Sequence, residues 1–164
     1  MYSFIHHIKF LLRATNQHGV HSPFVYSYVT KCLYSKKKYA STKSADVLLK
    51  SIDYFKIKSL KINSESELYK HQIKKRFPGL NTNTSTYDAI YMNDCLTWDK
   101  EIEKKEIKNT SWVFIKSIHH SKESSSQWNN IIALDEVTVS IDLFYCGVLF
   151  FRREQEKEHF KIRY

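Results

Sequence analysis

A chain of 164 residues, 42% apolar and 15% aromatic, can bury one core and is too short for a multidomain enzyme. Charged residues at 26% beside so many aromatics exclude a disordered chain, and three glycines with two prolines, against averages of about 7% and 5%, argue against a ligand cradle built from several glycines. The net charge of +9 is unevenly spread, since residues 1–58 carry 10 basic and 2 acidic side chains and residues 59–164 carry 16 and 15. A basic third joined to a neutral body points to an anionic partner, either nucleic acid or a membrane surface; a solvated lysine-rich face without a partner is the simpler alternative.

In chain order, Met1 to Arg13 reads as a helix, because Phe4, Ile5, Ile8, Leu11 and Leu12 recur at the spacing of one helical face. His6, His7 and Lys9 interrupt what would be the apolar run of a secretory signal, and no small-residue cleavage site follows, so cytoplasm is the expected location. Ser22 and Pro23 supply a helix start for a stripe of Phe24, Val25, Tyr28, Val29, Cys32 and Leu33. Ser35 to Lys38 is too charged to pack and reads as a linker. A third helix covers Thr42 to Tyr54.

From Ser59 the rhythm changes to short apolar runs between amphipathic stretches. Strands are expected at Leu60–Ile62, Tyr87–Met92 and Trp112–Ile115, and helices at Glu65–Phe77, Trp98–Ile107 and Ser121–Leu134. This β-α-β-α-β-α order predicts a parallel sheet. Val137–Ile141 and Gly147–Phe151 lie too close in sequence for a crossover, so they form a hairpin and an antiparallel edge, with Val148 and Phe150 on one face and Leu149 and Phe151 on the other. Arg152 to Glu158, dense in charge, reads as a solvated C-terminal segment. The whole is expected to be a single α/β domain with residues 1–58 as a helical cap.

Three stretches carry a resemblance. They are Asn16 to Tyr26 with its continuation Thr30 to Tyr34, then Tyr87 to Met92, and finally Ile118-His119 through Ser121-Lys122-Glu123 to Val137–Phe160. Together they cover about half the chain, and they resemble S-adenosylmethionine-dependent methyltransferase-like proteins of the class I, Rossmann-like type found in Bacteroidetes. That resemblance implies a truncated Rossmann-like sheet ending in an antiparallel hairpin, and S-adenosylmethionine as the cofactor of an active member.

The departures from the family pattern fall on its functional positions. A glycine-rich turn would follow the first strand so that backbone can approach the cofactor, yet Asn63, Ser64 and Glu65 stand there. The family's second and third strands, with the acidic residue that holds the ribose, have no room between Ser64 and Tyr87. Asn93 occupies the place of an aspartate at the next strand end. Lys116 and Ser117 replace a pair of aspartates just before His119, and a lysine there reverses the charge that acid–base or metal chemistry would use. The resemblance with these losses implies a degenerate methyltransferase, without methyl transfer and without a cofactor, that persists as a binding or scaffold protein. An active methyltransferase is one alternative, and a basic RNA- or ribosome-associated module is another.

Other constellations are weaker. Lys36, Lys37, Lys38 and Tyr39 pair charge with an aromatic ring, with Tyr26, Tyr28 and Tyr34 nearby, a combination that suits phosphate contact and base stacking, although Tyr28 fits the core better. His18 and His21, near His6 and His7, have no acidic neighbour before Asp46, so no metal is expected. Cys32, Cys95 and Cys146 lie 63 and 51 residues apart, which suits neither a zinc site nor a disulfide framework, and no run reaches membrane-spanning length.

Overall fold

The computed structural model describes residues 2–63, 67–102 and 106–164. Helices α1 (Tyr2–Arg13), α2 (Pro23–Tyr28, widening into a π-helical turn over Val29–Leu33) and α3 (Lys43–Phe55) lead into β1 (Leu60–Asn63). Then follow α4 (Glu67–Arg76), β2 (Tyr87–Met92), α5 (Trp98–Glu101), β3 (Ile107–Lys116), α6 (Lys122–Ala133), β4 (Val139–Asp142), β5 (Cys146–Phe150) and β6 (Glu158–Lys161). The starts of α2 and α6 follow from their caps: Ser22 Oγ accepts from the Val25 N–H with Pro23 at the first position, and Ser121 Oγ accepts from the Ser124 N–H at 3.0 Å.

The strands form one mixed sheet in the order β1-β2-β3-β5-β4-β6. β1, β2 and β3 run parallel, as the alternation of strands and helices predicts. β4 and β5 form the expected antiparallel hairpin, with Ile141 opposite Val148. That hairpin is not the edge of the sheet, however, because β5 is wedged between β3 and β4 and runs antiparallel to both. All five residues of β5 are buried, and a segment apolar on both faces gains most from an interior place.

Two further expectations are corrected. The helix expected over Trp98–Ile107 stops at Glu101, and Ile107 already pairs with Tyr87. Ser111 Oγ donates to the Tyr87 carbonyl and accepts from the Lys108 N–H, so sheet pairing overrides a charge pattern that reads as helical. The C-terminal segment is not wholly solvated: Glu158–Lys161 pairs with β4 as a half-buried, parallel edge strand whose charged residues hide its period of two.

The two faces of the sheet carry separate cores. Ala89, Tyr91, Trp112, Phe114, Val148 and Phe150 pack against Tyr28, Leu33, Leu48 and Ile52 from α2, its π-helical turn and α3. Ile90, Met92, Val113, Ile115, Leu149 and Phe151 meet Trp98, Trp128 and Ile131 from α5 and α6 on the other side. The alternation expected for Val148 to Phe151 is therefore present. A Cβ on Gly147 would come within 2.3 Å of the Trp128 ring, so the absent side chain is what lets α6 lie this close to β5. Helices α2 and α3 are thus one full layer of the sandwich rather than an added cap. Only α1 stands apart, held by a small cluster of Phe10, Ala14 and Phe144.

Candidate functional site

The parallel register sets the C-terminal ends of β1, β2 and β3 side by side, with Asn63 opposite Met92 and Met92 opposite Ile115. Open α/β sheets place ligands at such a rim. Asn63, Asn93 and Lys116 therefore come together, whereas Ser64 and Glu65 lie outside the described residues. The exposed Asn93 takes a long, 3.5 Å hydrogen bond from the Tyr91 hydroxyl. Tyr69 of α4 lies across this rim, its ring stacked 5.3 Å from that of Tyr91, and the Lys116 ammonium sits 5.0 Å over the Tyr69 ring. Ser117 turns the chain at φ 59° and donates its N–H to the Tyr145 carbonyl. The rim is thus lined by the protein's own aromatic rings and a cation.

His119 does not join the rim. It is buried in a second cluster, its Nε2 2.7 Å from Asp142 Oδ2 and its Nδ1 3.0 Å from Ser125 Oγ. The order Ser–His–Asp invites comparison with a hydrolytic triad, but the Ser125 hydroxyl donates its hydrogen to the Ser121 carbonyl at 2.9 Å. A nucleophile needs that hydrogen aimed at the imidazole that is to accept it. Asp142 Oδ1 accepts from the N–H of Phe144, which has φ 69° at the hairpin turn, so His119 and Asp142 tie the segment after β3 to the β4–β5 turn. His6 of α1 packs its ring 4.8 Å from His119, and burial together with the nearby His119 holds its pKa below the usual histidine value. His159, beside Ser140 Oγ at 2.8 Å, is lowered by burial as well.

The basic third forms an open groove. Lys36, Lys37 and Lys38 are exposed, and Lys36, Lys38 and Lys43 line a groove of about 640 Å³ beside α1, with Arg163 on the same wall. Lys37 turns away to Asp53 and the Tyr39 ring. Tyr39 is not a free stacking platform, because its hydroxyl donates to Asp53 and both Lys37 and Arg76 lie against its ring. Tyr28 is fully buried, and the Tyr34 hydroxyl donates to the Arg163 carbonyl.

The floor of the groove is a polar network that the sequence reading did not single out. Asp46 and Lys50 lie one turn apart on α3, both buried, with Lys50 Nζ 3.1 Å from Asp46 Oδ2. Lys50 also donates to the carbonyls of Leu33 and Ser35, and Asp46 accepts from the Tyr164 hydroxyl and the N–H groups of Tyr39 and Ala40. Burial alone would raise the Asp46 carboxyl, but the hydrogen bonds from Tyr164, Tyr39 and Lys50 outweigh it and hold the pKa below the usual value. The available signal was an Asp and a Lys spaced i,i+4 within the apolar stripe of α3, where charge has no place unless paired.

The three cysteines are free and buried. Burial pushes the thiols of Cys32 and Cys95 up to about 12 and that of Cys146 higher still, so none is a thiolate nucleophile at neutral pH. Among the described residues no group of three or more His, Cys, Asp or Glu side chains converges as a metal would require. No family model matches the chain, and the searches of curated proteins and of solved structures find nothing similar to it.

Proposed function

We propose that this chain is a degenerate class I methyltransferase-like protein that no longer transfers methyl groups and works by binding an anionic partner through its basic third. The observation that carries this reading is the rim of the parallel strands, where Tyr69 stacks on Tyr91 and Lys116 covers Tyr69 in the position the resemblance reserves for a carboxylate. S-adenosylmethionine carries a sulfonium cation, so a lysine in place of the acid repels what the ancestral site would attract. β1 lies at the edge of the sheet, which fits a truncated Rossmann-like sheet lacking its second and third strands. The antiparallel strand set inside the parallel ones fits the same ancestry.

Binding then falls to residues 1–58, where positive charge is concentrated and a groove lined by lysines is open. Calorimetric titration with S-adenosylmethionine is expected to give no binding at micromolar concentrations. A dissociation constant below about 10 μM, or about −7 kcal/mol, overturns the reading. Glycines placed at Ser64 and Ser66 should not restore tight binding, since the ribose-holding strand would still be missing.

A further inference from the structure

A surface helix normally turns its apolar stripe inward and its polar residues to water. Helix α1 is the reverse. His6 packs on His119, His7 lies 4.4 Å from the Phe144 ring, and Phe10 is buried, so among the described side chains two histidines and one phenylalanine face inward. The outer face carries Ile5, Ile8, Leu11 and Leu12 at 50%, 46%, 40% and 80% exposure. From this inverted amphipathic helix and the charge around it we infer that α1 docks on an anionic lipid bilayer, lying in the interface with its aliphatic stripe inserted. The inference rests on the anionic-partner reading above and names the partner.

Charge selects this occupant. Lys9 and Arg13 are exposed on α1 and, with Lys161, line the cavity on one side of it, whereas Lys36, Lys38 and Lys43 line the groove on the side of Leu11. Cations therefore flank the aliphatic stripe on both sides, and residues 1–45 contain seven Lys and Arg and no Asp or Glu. A second copy of this chain would bring those cations against one another. A nucleic acid would satisfy the lysines but leave four aliphatic side chains in water, since none of them can stack on a base. An anionic bilayer satisfies both, taking the stripe into its acyl boundary and the cations at its headgroups. At about 1.5 Å per residue the twelve residues of α1 span about 18 Å, short of the about 30 Å hydrocarbon core, so the helix lies on the membrane rather than crossing it.

The test uses the full chain and sedimentable vesicles of phosphatidylcholine, with and without 30% phosphatidylglycerol. Binding should require phosphatidylglycerol and weaken with added salt. Ile8→Ser with Leu12→Ser should lower partitioning about tenfold or more, and both positions are exposed, so the variant keeps its thermal midpoint. A Leu12→Cys variant can be labelled selectively with an environment-sensitive dye, because the native cysteines are buried, and its emission should shift to the blue on anionic vesicles. Absence of binding to the anionic vesicles at low salt overturns the inference. Binding that neither shifts the dye nor responds to the serine variant overturns it too, since charge alone would then be responsible. A parallel titration with polyuridylate separates the two levels: RNA bound without vesicles leaves the anionic-partner reading standing and removes the bilayer, and neither bound removes both.

Discussion

Helices α1 and α3 are of nearly equal length and both have an apolar stripe at helical spacing, yet they end in opposite environments. α3 buries Val47, Leu48, Leu49 and Ile52 against the sheet, and with them a carboxylate and an ammonium. α1 turns two half-buried histidines inward and leaves isoleucines and leucines exposed. Periodicity fixes that a helix has an apolar face, and the surface available to cover that face lies elsewhere in the chain. α3 has one face of a six-stranded sheet beneath it, whereas α1 meets the β4–β5 turn, where Phe144 offers one ring.

The contrast breaks first at the charges buried beneath α3. Asp46→Ala leaves Lys50 buried with its carboxylate gone, and removing one partner of such a pair costs about 3 to 5 kcal/mol. Equilibrium urea unfolding at pH 7 measures this. The folded-state pKa of Asp46 lies below its unfolded value, so its contribution is present above about pH 4 and is lost as pH falls through the folded value. The gap between wild type and variant should accordingly narrow in acid. A gap that stays constant down to pH 3 would mean that packing rather than charge holds this end of α3.

Leu48→Ala is next. The side chain is fully buried in the larger core, and its truncation is expected to cost about 2 to 5 kcal/mol by the same measurement. A loss under 1 kcal/mol would show that the layer formed by α2 and α3 is loosely packed on the sheet. Phe150, against which Phe24 stands edge-on at 4.9 Å, tests the same interface from the strand side.

A smaller effect belongs to the inner face of α1. His6 and His159 both have pKa values below the ordinary histidine value of about 6.5, so the unfolded chain takes up protons before the folded one does. Stability is therefore expected to fall as pH drops through about 6.5, until the folded-state values are reached. His6→Phe, which keeps an aromatic ring against Phe144 and His119, should flatten part of that slope. An unchanged pH dependence in this variant would detach α1 from the acid response.

Much of the sheet was legible because β2, the second half of β3 and the β4–β5 hairpin are short runs rich in β-branched and aromatic residues. Tyr87–Met92 and Gly147–Phe151 are largely apolar runs bounded by turn residues, and connection length gives their directions, whereas the interior place of β5 does not follow from it. β6 was not legible, since Glu158, His159 and Lys161 put charge and polarity on an edge strand. The site was legible in part: the resemblance singles out Asn63, Asn93 and Lys116, and the parallel register sets them at one rim, but only tertiary packing lays Tyr69 across it. His119 was readable as the residue that follows the altered aspartate pair and not as a partner of Asp142, 23 residues away.

The smallest expected effect is the one that separates the two helices most sharply. Leu12→Ser changes a side chain 80% exposed, and a surface position of that kind shifts stability by no more than about 0.5 kcal/mol in either direction. The same substitution at Leu48 would leave a hydroxyl in an apolar core and cost several kcal/mol. Urea midpoints of the two variants, measured side by side, therefore test whether the leucines of α1 belong to the fold at all. A loss above about 1 kcal/mol at Leu12 would mean that α1 turns its aliphatic stripe inward in solution, and the docking surface would vanish with it. A neutral result leaves Leu12 with no role in folding, and the placement of its stripe between two basic walls is then explained by what the stripe meets outside the molecule.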